Sequence, residues 1–162
     1  MKVSYLLQSA LGAGILRKVF HTYWRFSRGL TMGVRGVVLD RQNRVFLIRH
    51  TYVAGWHLPG GGVETGETTE EALRRELHEE ACIVVDGEPF THGVFYNSGA
   101  SRRDHVVVYV IRAFTVTNEK KPDREIAEAG FFPLDSLPQE TTPATRRRLT
   151  EILDGQPRSA TW

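Results

Sequence analysis

Cysteine is almost missing from this 162-residue chain: Cys82 is the only one. That excludes an internal disulfide framework and fits a reducing compartment, so a cytoplasmic location is expected. An excess of one charge is also lacking, because 21 basic and 19 acidic residues leave a net charge of +2, too little to argue for nucleic acid by itself. No apolar run is long and uniform enough to span a bilayer, so no stable membrane insertion is expected. Repeats are absent. With 41% hydrophobic and 25% charged residues, the composition excludes a disordered or collagen-like chain. What is left is a single globular domain that buries roughly two-thirds of its unfolded surface.

The charges that are present are unevenly placed. Lys2, Arg17, Lys18, Arg25, Arg28 and Arg35 precede Asp40 without a single acid. Between residues 61 and 83 there are seven glutamates against two arginines. Carboxylates packed so densely repel one another, and a cation would account for them. Residues 3–26 carry apolar side chains at close to helical period and read as one amphipathic helix within an extension spanning residues 1–30. A signal peptide is the rival reading, against which Gln8, Ser9 and the basic, aromatic continuation to Arg28 count. Packing on the domain or on a second subunit is preferred over a membrane surface.

Beyond the extension, strand and turn signals alternate. Residues 33–40 and 45–50 are apolar runs joined by Arg41-Gln42-Asn43-Arg44, which predicts a hairpin. Gly60, Gly61 and Gly62 demand unusual backbone angles. Thr68 or Thr69 caps a helix through about Ala81, with Glu70 and Glu71 in its first turn. Strands are predicted at 83–85, 89–96 and 105–116, a charged loop at 120–128, and a closing helix at 142–153. On the first of these helices Glu76, Glu79 and Glu80 fall at i, i+3 and i+4, on one face. Hard divalent ions prefer such oxygen ligands beside a substrate phosphate. Arg75 lies four residues before Glu79 and can fix its rotamer.

Gly61 and Glu67, followed by Arg75-Glu76-Leu77-His78-Glu79-Glu80-Ala81-Cys82-Ile83, resemble the Nudix box. Trp56-His57-Leu58-Pro59-Gly60-Gly61 resembles that family's lead-in, and Glu125-Ile126-Ala127-Glu128 with Phe131-Phe132 and Asp135-Ser136-Leu137-Pro138 resembles its late segment. The likeness covers residues 33–155. One position departs, since Cys82 stands where the box has glycine; a structural cysteine is preferred there over a reactive thiol.

The resemblance implies an α/β protein, an α/β/α sandwich around a mixed β-sheet, with the domain at residues 31–155 and a tail at 156–162. It implies divalent-metal-dependent hydrolysis of a pyrophosphate linkage in a nucleoside diphosphate derivative (a nucleotide-sugar, a dinucleotide or an NTP) by water attack on phosphorus. Glu76, Glu79, Glu80 and the Gly60 carbonyl would ligate Mg2+, with Mn2+ as a substitute. Glu79 would also polarise water, Arg75 would orient the glutamates, and Gly61 and Glu67 would be structural. A later carboxylate would serve as base, with Glu125 first, Glu128 second and Asp104 third. Arg49, Tyr52, Arg102 and Arg103 are the candidate contacts to the small-molecule nucleotide. Trp56, Phe95 and Tyr96 could stack on a base, but core packing is their plainer reading. His50, His57 and His78 likewise read as structural or exposed. The family's secondary markers for ADP-ribose, dinucleoside polyphosphates and NADH are not met. A homodimer is expected. The alternatives are a nucleotide-sensing module without catalysis and a hydrolase of capped RNA.

Overall fold

The structure is a computed structural model that describes Phe20, Thr22, Tyr23 and residues 29–162. Residues 1–30 and 31–162 form two compact units. The helix predicted over residues 3–26 lies outside the described residues, apart from Phe20, Thr22 and Tyr23, which are helical.

From residue 31 the chain runs through β1 (Thr31–Val38), β2 (Arg44–His50), β3 (Trp56–His57), α1 (Thr69–Ala81), β4 (Ile83–Val85), β5 (Phe90–Tyr96) and β6 (Asp104–Ile111). It continues through β7 (Phe114–Val116), β8 (Ile126–Pro133), a 3-10 turn (Leu134–Ser136) and α2 (Pro143–Leu153). The strands form the sheets β1-β6-β5, β3-β2-β8 and β4-β7. β1 lies parallel to β6, with Thr31 opposite Asp104 and Val38 opposite Ile111, whereas β5 runs antiparallel to β6. From residue 31 on, the described residues form an α/β fold with a mixed sheet and two helices, and the α/β class with a mixed sheet is as expected.

The central strands are apolar on both faces, so both must be covered. Val34, Val38, Phe46 and Ile48 pack with Ala72, Leu73 and Leu77 of α1. The alternate residues Val37, Leu39, Val45 and Leu47 pack with Leu58, Phe95 and Leu149 of α2. One helix therefore closes each side.

Three predicted elements differ. The turn at 41–44 forms, with the Asp40 carboxylate accepting from the Gln42 and Arg44 N–H groups. The strands it joins do not pair as a hairpin: Leu39 bridges Val45, and then β1 joins β6 while β2 joins β8. With no polar face to leave in water, each is drawn into its own sheet. The run 105–116 breaks at Arg112 and Ala113, because β6 pairs with β1 and β5 whereas β7 crosses to β4. The loop predicted to reach residue 128 stops at Glu125, and Ile126, 1% exposed, already begins β8.

Helix α1 begins with a capping box in which Thr68 and Glu71 satisfy each other's backbone N–H. It ends at Cys82, which is half-buried and left-handed with φ 53°. A side chain in that region costs on the order of 1 kcal/mol relative to glycine. Cys82→Gly is accordingly expected to raise Tm by roughly 3 °C in thermal unfolding.

Residues 156–162, expected as a tail, return along β5: Tyr96 bridges Thr161, and the Trp162 N–H donates to the Tyr96 carbonyl at 3.0 Å. Beneath them Arg148 is fully buried, its guanidinium carbon 3.9 Å from the Phe95 ring centre. Arg148 donates to Glu151 at 2.6 Å and to the Thr161 carbonyl at 3.1 Å. Glu151 also accepts from the Ser159 N–H and hydrogen-bonds His92. Burial opposes its charge, but these partners hold its carboxyl below the usual range.

Candidate active site

The segment leading into α1 is laid against β1 by backbone hydrogen bonds, Val34 N–H to Gly61 O at 2.8 Å and Gly36 N–H to Pro59 O at 2.9 Å. Two of the three glycines are required for that approach. Gly60 has φ +136°, and a Cβ there would stand 2.2 Å from the Val34 carbonyl oxygen. A Cβ on Gly61 would stand 2.4 Å from Glu76 Oε1, so the missing side chain makes room for a carboxylate.

Leu73, Leu77 and Ala72 turn one face of α1 into the core, and Glu80 follows them inward. Glu80 is 8% exposed and accepts from the Gly60 N–H at 2.7 Å. Burial pushes its carboxyl up to about 7, helped by the negative charges of Glu76 and Glu125 and opposed by the Gly60 N–H and Arg35. Arg75 grips Glu67 through Nε to Oε1 at 2.9 Å and Nη2 to Oε2 at 3.1 Å. Its Nη1 reaches Glu76 at 2.7 Å, whereas Glu79 lies at 3.6 Å. The arginine thus fixes Glu67 and Glu76 more than the expected Glu79. These hydrogen bonds raise the Arg75 guanidinium and lower the Glu67 carboxyl from their usual values.

Glu76, Glu79 and Glu80 share a cavity of about 330 Å³ with Lys120, Asp123 and Glu125. The fold separates the two proposed bases. Glu125 lines that cavity, while Glu128 sits opposite Arg49 in the β2–β8 ladder and is ion-paired to it. Arg49 and Tyr52 line a second depression of about 310 Å³ with His50 and Glu140. Arg102 and Arg103 lie in the exposed β5–β6 loop, and neither lines the glutamate cavity. Asp104 accepts from Thr31 and Asn97 at 2.7 Å each, a structural use. Trp56 and Phe95 are core residues, 8% and 1% exposed, and Tyr52 is exposed. Burial lowers both His50 and His57 from the ordinary histidine range.

Among the described residues, no three acidic, histidine or cysteine side chains converge as they stand to hold one ion. The donor set nevertheless suits a hard divalent cation. It is all oxygen, and its buried member, Glu80, lines the cavity with Glu76 and Glu125, whose charges act on it. The Gly60 carbonyl, expected as a ligand, accepts a hydrogen bond from Arg35, which also reaches the Leu58 carbonyl at 3.3 Å. A carbonyl oxygen has a second lone pair, so the two uses are compatible. Arg35, Lys120 and Asp123 were not among the expected site residues. Arg35 was visible as a charge interrupting an apolar run; Lys120 and Asp123 are indistinguishable from their charged neighbours.

A family model described as the NUDIX domain matches residues 29–152. An ADP-ribose pyrophosphatase of Methanocaldococcus jannaschii is 32% identical over 105 residues, covering 63% of this chain and 62% of that protein. An 8-oxo-dGDP phosphatase of Mus musculus is 32% identical over 117 residues, covering 70% of this chain and 36% of that protein. The chain thus spans less than two-thirds of the length of these two curated relatives. The crystal structure of a MutT NUDIX hydrolase from Burkholderia pseudomallei superposes with a TM-score of 0.64 at 29% identity, covering 75% of this chain and 97% of that one. The matched stretch contains the capped helix, the glycine lead-in and the glutamate cavity, and the chain belongs to the NUDIX domain family.

Proposed function

We propose that this chain is a divalent-metal-dependent pyrophosphohydrolase that cleaves the P–O–P linkage of a nucleoside diphosphate derivative. The observation that carries the reading is Glu80, a buried carboxyl raised to about 7 beside Glu76 and Glu125 in one cavity. A buried carboxylate with further carboxylates beside it is costly unless a cation joins them. Glu76, Glu79 and Glu80 would hold Mg2+ or Mn2+, which supplies charge neutralisation on the phosphates and a more acidic water.

The chain's own residues do the rest. Arg75 holds Glu76 in place through the Glu67 brace. Glu125, rather than the ion-paired Glu128, takes the proton of the attacking water as the bridging P–O bond breaks. Arg49 and Tyr52, in the neighbouring depression, contact the group carried by the nucleotide. In-line attack then needs mainly positioning and charge stabilisation.

Phosphate release after phosphatase coupling, measured over ADP-ribose, nucleotide-sugars, dinucleoside polyphosphates, dNTPs and capped RNA, tests this reading. Turnover of one class is expected with Mg2+ or Mn2+ and is expected to vanish in excess EDTA. Turnover that survives EDTA, or nucleotide binding without turnover in either metal, would count against it. The second outcome favours a sensing module.

A further inference from the structure

We infer that Lys120 is a positioning residue that ties the loop bearing Glu125 to the helix bearing the box glutamates; the role it gives Glu125 rests on the function proposed above. Lys120 has a side chain only 11% exposed, unusual for an ammonium in a charged loop. Its Nζ donates at 2.7 Å to the backbone carbonyl of Glu79 and at 2.6 Å to Asp123 Oδ2. The Glu79 carbonyl is among the last four of α1, where acceptors lack helical partners and positive charge is favoured.

Asp123 carries the connection onward. Its other oxygen, Oδ1, accepts from the N–H groups of both Glu125 and Ile126 at 2.8 Å. Its own N–H donates to the Ile126 carbonyl at 2.9 Å. The hydrogen bonds from Ile126, Lys120 and Glu125 hold its carboxyl down to about 2, so the bracket stays charged across the working pH range. Residues 123–126 are thereby closed into one turn whose geometry sets the direction of Glu125.

That turn has two attachments. Thr51 at the end of β2 donates to the Glu125 and Arg124 carbonyls at 2.9 and 2.7 Å, fixing it to the sheet. Lys120 fixes it to α1. Without the lysine the turn remains on the sheet, and its distance from Glu76 and Glu80 is no longer set. Misplacement of a reacting group by about 1 Å costs on the order of 10²-fold in rate.

The test compares wild type, Lys120→Met, Lys120→Arg, Glu125→Gln and the Lys120→Met/Glu125→Gln double variant on the best substrate of the panel above. Lys120→Met keeps the apolar stem, so its Tm should stay near wild type. Its kcat is expected to fall about 10–100-fold with KM within about threefold. Lys120→Arg should recover most of the loss. In the Glu125→Gln background the lysine change should add nothing, because its effect passes through that carboxylate. By NMR hydrogen exchange, the Glu125 and Ile126 amides should exchange at least about tenfold faster in Lys120→Met, with Leu73 and Leu77 unchanged.

Additive losses in the double variant, an unchanged kcat, or unchanged exchange at 125 and 126 would overturn the inference. If wild type turns over no member of the panel, the proposed function fails and exchange alone judges the tether. Faster exchange confined to residues 123–126 then supports it, and unchanged exchange overturns it.

Discussion

Glu80→Gln is expected to lower kcat/KM by at least about 10²-fold, since the proposed metal would supply several kcal/mol of transition-state stabilisation, Glu80 would be one of its ligands, and about 1.4 kcal/mol is a factor of ten. The same change should make the metal-free protein more stable at pH 8. Glu80 titrates near 7 when folded and near 4.5 otherwise. Below about pH 4.5 it is protonated in both states and costs nothing. As pH rises toward 7 the unfolded chain loses its proton first, so the folded state binds more protons and stability falls. The gap corresponds to about 3 kcal/mol, fully lost above pH 7. Wild type and Glu80→Gln should therefore melt together near pH 4 in EDTA and diverge by several degrees at pH 8, the variant higher. Saturating Mn2+ should lift wild type and leave the variant unmoved. A variant that melts lower than wild type at pH 8 in EDTA would mean that the Glu80 carboxylate carries no such burden.

Arg148→Met should be the most destabilising single change away from the cavity. Arg148 has no exposed surface, and it supplies the positive partner of Glu151, which is itself buried. Removing one member of a buried pair leaves the other uncompensated and costs about 3–5 kcal/mol. The expected drop in Tm is roughly 10–15 °C. Replacing both, as Arg148→Met/Glu151→Met, should recover part of that loss, because two apolar side chains leave neither member of the pair stranded. A double variant less stable than Arg148→Met, measured by thermal unfolding, would show that the pair stabilises beyond satisfying itself.

Much of this was readable before the structure. The i, i+3, i+4 glutamates with Thr68 or Thr69 as cap place α1 within a residue, because capping and periodicity are local. Gly60 and Gly61 were legible as special, though not the reasons: one passes close to β1 and the other leaves space for Glu76. The separation of β1 from β2 was not legible, since a turn signal fixes the reversal but says nothing about which sheet each strand joins. The sequence put Glu125 ahead of Glu128 as base but held nothing structural to separate them. The start of β8 distinguishes them, by placing Glu128 in the ladder against Arg49 and leaving Glu125 on the loop before it. Lys120 gave no signal because its meaning lies in a carbonyl 41 residues away.

The parallel pairing of β1 with β6 has a kinetic consequence. Thr31 and Asp104 are 73 residues apart, so β1 gains its partner only after most of the domain exists. At about 5–20 residues per second, synthesis leaves β1 waiting roughly 4–15 s with both faces apolar. Non-local pairing of this kind also slows the folding step itself. Helix α1 needs only neighbours in sequence and can form during that wait, already carrying its glutamates. The backbone of Gly60, which gives Glu80 its hydrogen bond, is held against β1 and settles when β1 does. The cavity is thus among the last parts of the newly made chain to take shape, and the cation site proposed there would form only once the sheet has closed.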